Sequence, residues 1–146
     1  MAEINGKPVT ASDMETLALT NFGHFTSMRV DGGAVRGLSL HMERLERDCQ
    51  EVFGAALDRE RVLDYARQAA GGRLDSFTIR VTVFDPTLRL GNIGDAAAPS
   101  VLVTIRNEGQ PSPPLTAKTI PFSRDSAQVK HVGLFGADAP RRGEPC

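Results

Sequence analysis

The spacing of the apolar residues changes twice along this chain, and that change limits the fold more than any other feature. From His24 to Val30, and again from Phe77 to Phe84, the residues alternate in character and are rich in β-formers, as on strands that bury one face. Between these runs, Leu38, Met42, Leu45, Cys49 and Val52 stand three and four apart. Val62, Tyr65, Ala66 and Ala69 repeat the pattern further on. Both sets describe one apolar stripe on a helix. Strands, two helices and strands again predict an α+β domain of two layers.

Turn chemistry marks the boundaries. Asn5-Gly6 lies between apolar residues and predicts a tight hairpin at the start of the chain. Asp13 to Thr20 reads as a short helix ending at Asn21-Phe22-Gly23, before the strand His24–Val30. Asp31-Gly32-Gly33 turns that strand back through Ala34-Val35-Arg36. Ser39 is the expected N-cap of the first long helix, and Gly54 its end. Glu43, Glu46, Arg47, Asp48 and Glu51 form its expected solvated face. Asp58 caps the next helix, which runs to roughly Ala70 and stops at Gly71-Gly72. Asp85-Pro86 stops the strand Phe77–Phe84, and Ser100–Ile105 is a second strand. A third, Leu115–Phe122, leads into Val129-Lys130-His131. The expected division is a small α+β domain over 1–110, a linker and first strand of a second domain over 111–137, and an unstructured tail over 138–146, interrupted by Pro140 and Pro145.

Charge and motifs exclude several functions. Seventeen basic and eighteen acidic side chains give a net charge of −1, so no nucleic-acid partner is expected. Apolar runs such as Val101-Leu102-Val103 are too short to cross a membrane. The first residues lack the basic and apolar regions of a signal peptide. Cys49 and Cys146 do not form a disulfide framework, and a cytoplasmic location is expected. Cys49 reads as a small buried hydrophobe. His24, His41 and His131 lie far apart, with no metal-ligand spacing. Ser27 and Ser39 have no base pointing to them as nucleophiles.

Three segments match something specific. Phe25-Thr26-Ser27-Met28-Arg29-Val30, His41-Met42-Glu43-Arg44-Leu45 and Val129-Lys130-His131 occur in the order and at the separations of the class IV aminotransferases. The chain therefore resembles the N-terminal part of these fold-type IV pyridoxal phosphate (PLP) enzymes, which include branched-chain and D-amino acid aminotransferases and aminodeoxychorismate lyases. The resemblance implies PLP as cofactor, an amino acid and a 2-oxo acid as substrates, and a homodimer in full-length relatives. Lys130 then matches the Schiff-base lysine, whose neutral amine attacks an aldehyde once its pKa falls from about 10.4. Taken alone, it would read as a surface lysine after a strand. Arg44 matches the arginine on the PLP phosphate, where a planar guanidinium can bond two oxygens. Phe25 to Arg29 match the strand lining the substrate. Arg29 either meets a substrate carboxylate or pairs with an acidic neighbour, Arg80 has a weaker claim, and His41 reads as structural. The Phe-Thr-Ser-Met-Arg form is closer to the lyase and related transaminase branch.

The chain stops sixteen residues after Lys130, whereas relatives of this kind continue into a barrel-like domain. That domain carries the glutamate facing the pyridine nitrogen and further phosphate ligands. A truncated gene product is therefore expected. It would act either as an aminotransferase or lyase, or as a non-catalytic remnant that pairs with other proteins.

Overall fold

Backbone turns that favour glycine close both predicted hairpins. The computed structural model describes residues 1–108, 113–116, 119, 121, 123 and 125–133; the tail expected over 138–146 lies outside them. The elements in chain order are β1 (Ala2–Ile4), β2 (Lys7–Pro8), α1 (Ala11–Thr20), β3 (His24–Asp31), β4 (Ala34–Val35), α2 (Leu38–Phe53), α3 (Arg59–Ala70), β5 (Phe77–Phe84) and β6 (Ser100–Asn107). Asn5 and Gly6, at φ 48° and 76°, join β1 to β2. Gly32 and Gly33, at φ 56° and 77°, join β3 to β4. Two consecutive positive φ values match the right-handed twist of the flanking strands.

The strands form one antiparallel sheet in the order β2-β1-β6-β5-β3-β4. Successive strand residues point to opposite faces. Met28 and Val30 of β3, Phe77, Ile79, Val81 and Val83 of β5, and Val101, Val103 and Ile105 of β6 share the face under the helices. Met42, Leu45 and Cys49 of α2, with Val62 and Ala69 of α3, complete that core. The result is the two-layer α+β arrangement that the change of period predicts. Cys49 is wholly buried, and burial pushes its thiol up to about 11, so it packs as an apolar side chain.

The helix ends follow local chemistry, with one correction. Asp58 caps α3 by accepting the Arg61 N–H at 3.1 Å, and Gly54 and Gly71 end α2 and α3 in the left-handed conformation. Ser39, however, is not the N-cap of α2. That position belongs to Gly37 at φ 67°, with no side-chain cap, and Ser39 lies in the first turn. The short return of β4 into the helix requires a positive φ there, which glycine adopts without a Cβ penalty.

Two further expectations differ. None of the described residues of the 115–122 run (115, 116, 119 and 121) is in a strand, and Pro121 could not donate a ladder hydrogen bond. Asp48, expected on the solvated face of α2, is 1% exposed. Residues 128–130 fold over that flank of the helix and cover it.

Candidate functional site

Residues 129–132 dock on a vacant length of strand edge. β5 pairs with β3 from His24 to Val30, but β4 pairs only with Val30 and Asp31 on the other edge. The start of that edge receives the lysine segment. The Phe25 N–H donates to the Lys130 carbonyl at 2.9 Å, the Val132 N–H donates to the Gly23 carbonyl at 2.9 Å, and His24 faces His131. Gly23 lets the start of β3 lie close to β5, because a Cβ there would lie 2.6 Å from the Val83 carbonyl oxygen. The Lys130 N–H donates instead to Oδ2 of Asp48 at 3.0 Å.

Phe25 lies on the sheet face opposite Met28 and Val30, and its ring gathers two cations. The Lys130 Nζ is 5.1 Å from the ring centroid, and the Arg80 guanidinium carbon is 3.7 Å from it. Both use the negative face of the ring. Arg80 Nε also donates to Thr82 Oγ1 at 3.2 Å. Burial, then the positive charge of Arg106, lowers the Arg80 pKa from its usual value, so a negative group here would be drawn to it. Arg80, given little weight from sequence, thus stands beside Lys130 across one ring.

Thr26, one residue along β3, points to the helix side. His41 and Arg44 are three apart on α2, so both reach it from one helix face. Arg44 Nη2 donates to Thr26 Oγ1, and Thr26 Oγ1 lies 2.7 Å from His41 Nδ1. Arg44 Nη2 also lies 3.2 Å from His41 Nδ1, and a guanidinium can only donate, so Nδ1 serves this cluster as an acceptor. Burial, followed by the charges of Arg44 and Lys130, holds the His41 pKa below the ordinary value, which favours the neutral ring. One donor of the cluster is left over: Arg44 Nε is buried and has no hydrogen-bond partner. A buried N–H without an acceptor costs about 1–3 kcal/mol, and an anion in contact with it would remove that cost.

Arg29 stands apart from this group. It is exposed and paired with Asp31 at 2.7 Å and Glu108 at 2.5 Å, the acidic-neighbour arrangement left open from sequence. Thr26 and Asp48 are the polar residues that sequence reasoning missed. Asp48 stands three after Leu45, a spacing that already put it on the apolar stripe. A cleft of about 400 Å³ opens nearby, between Phe22, Glu51, Asp125 and His131. Lys130, Arg44 and Phe25 are not among its walls, so it is separate from the cluster. Among the described residues, no three His, Cys, Asp or Glu side chains gather as metal ligands do, and no helix is long and apolar enough to cross a membrane.

Solved structures place this fold. The branched-chain amino acid aminotransferase of Escherichia coli matches with a TM-score of 0.68 at 19% identity, over 97% of this chain and 56% of that one. The 4-amino-4-deoxychorismate lyase of Pseudomonas aeruginosa matches at 0.59 and 23% identity, over 78% of this chain and 42% of that one. A hypothetical aminotransferase from Mycobacterium tuberculosis in its PLP-bound form matches at 0.54 and 20% identity, over 73% and 39%. The chain therefore has the fold of the N-terminal domain of fold-type IV enzymes and spans about half or less of these structures. The comparison with curated proteins gave no match. The family model for amino-transferase class IV matches residues 23–142, and the chain belongs to that family.

Proposed function

We propose that this chain provides the lysine-bearing part of a PLP site that moves an amino group from an amino acid to a 2-oxo acid. The observation that supports this best is the buried, unpartnered Nε of Arg44, in a cluster whose histidine also senses the charge of Lys130. That donor set suits a phosphate dianion, so the residues present fit PLP. The cofactor, when bound, supplies the aldehyde and the electron sink.

In this reading the chain's own residues divide the work. Arg44 holds the phosphate through Nε, while Thr26 and neutral His41 fix the orientation of its guanidinium. Lys130 is the covalent anchor, and its freed amine moves a proton to and from the substrate Cα. Phe25 is an apolar wall that excludes water and orients both the lysine and the substrate. Arg80 offers its charge to a substrate carboxylate, a role for which Arg29, already paired with two acids, is less suited. Homodimer formation and the remaining phosphate and pyridine contacts belong to the proposal for the whole protein.

Titrating the chain with PLP and following its visible absorption tests the assignment. A saturable change is expected that is lost in Lys130→Ala. In Arg44→Ala the affinity should fall roughly tenfold to a hundredfold, as expected for one hydrogen bond to a charged group. An unchanged affinity in Arg44→Ala would contradict the phosphate role. Product formed from an amino acid with no 2-oxo acid present would move the chemistry from transfer to lyase elimination.

A further inference from the structure

We propose that Asp48 is a positioning residue for Lys130, fixing the lysine's backbone so that its amine is presented over Phe25. The proposal rests on the reading of Lys130 given above. Three backbone groups of the docked segment matter here. The Lys130 carbonyl and the Val132 N–H are taken by β3. The Lys130 N–H, which a regular ladder would give to the Phe25 carbonyl, instead bonds across 82 positions of sequence to Asp48 Oδ2. Asp48 thus takes the place of one strand partner.

The carboxylate is well placed for this task. It is buried, with 1% of its side chain exposed, yet both oxygens are occupied. Oδ1 accepts Arg47 Nε at 3.1 Å and Nη2 at 2.7 Å. The same Nη2 donates to the Gln128 carbonyl at 3.1 Å, so Arg47 and Asp48 together grip residues 128 to 130. A buried carboxylate is a poor choice for stability alone, since an apolar replacement often stabilises as much. It is a good choice for direction, because it accepts one particular N–H and so fixes where the Lys130 Cα–Cβ bond points. A side chain of four methylenes reaches its target only from a fixed root, and small errors there are costly to chemistry.

Amide hydrogen exchange in the full chain, without PLP, gives the first test. The Lys130 amide should be protected, and Asp48→Ala should speed its exchange at least tenfold while β5 amides stay unchanged. Asp48→Asn keeps one acceptor oxygen for two donors, Arg47 and the Lys130 N–H, and its protection should fall between those of the unaltered chain and Asp48→Ala. Borohydride trapping with PLP should follow the same order, with the Lys130 adduct forming several-fold more slowly in Asp48→Ala and at an intermediate rate in Asp48→Asn. Equal exchange and equal trapping in Asp48→Ala would overturn the positioning role alone, as would loss of protection throughout β5. Failure of the unaltered chain to trap PLP at Lys130 would instead overturn the reading of Lys130, and the positioning role with it.

Discussion

His24 shows how much one buried side chain can set. It is fully buried, neither ring nitrogen has a hydrogen-bond partner, and it packs 6.0 Å from the Phe53 ring. Burial lowers its pKa to about 4, against a weaker upward pull from Asp48. The unfolded chain takes up this proton near 6.5, so the folded state is favoured fully above that value and loses support as the pH falls towards 4. The gap corresponds to roughly 3 kcal/mol. Urea unfolding from pH 7 down to pH 4 should show this decline, and His24→Leu should flatten it. A decline of equal size in His24→Leu would show that other groups cause it. The family motifs singled out Lys130 and Arg44 in the sequence, because residue type and order carry the family resemblance. The contact of Thr26 with Arg44 and that of Asp48 with the Lys130 N–H were not legible, because they join residues 18 and 82 positions apart in the chain.

At the scale of elements, the junction before β3 controls the site. Gly23 lets β3 start tight against β5 and offers its carbonyl to Val132. Gly23→Ala would press a Cβ against a backbone oxygen that cannot move aside, so destabilisation of about 1–3 kcal/mol is expected. The Val132 amide should lose protection in the same variant. A melting temperature and Val132 exchange rate equal to those of the unaltered chain would contradict this view of the junction. The paired turn residues at Asn5-Gly6 and Gly32-Gly33 and the caps at Asp58, Gly54 and Gly71 were readable because each acts within a few residues. The start of α2 was misread because Ser39 has the right chemistry for a cap, but the path from β4 required the positive φ at Gly37 first. Alternation also did not distinguish the described residues 115, 116, 119 and 121, none of them in a strand, from β5 or β6, since periodicity reports which face a strand would bury and not whether a strand forms.

The two faces of the sheet and one open edge divide the molecule. The face under α2 and α3 holds the core together with the Thr26, His41 and Arg44 cluster, the opposite face holds Phe25 and Arg80, and the edge of β3 holds Lys130. The change of apolar period predicted the layers, but not which strand edge would take the lysine. The most direct measurement uses the fact that the chain has three lysines, Lys7, Lys118 and Lys130. The purified chain would be mixed with PLP, reduced with borohydride and mapped by peptide mass. Stoichiometric label at Lys130 alone, lost in Lys130→Ala and weakened in Arg44→Ala, is the predicted result; label spread over Lys7 and Lys118, or none at all, would contradict the site described here.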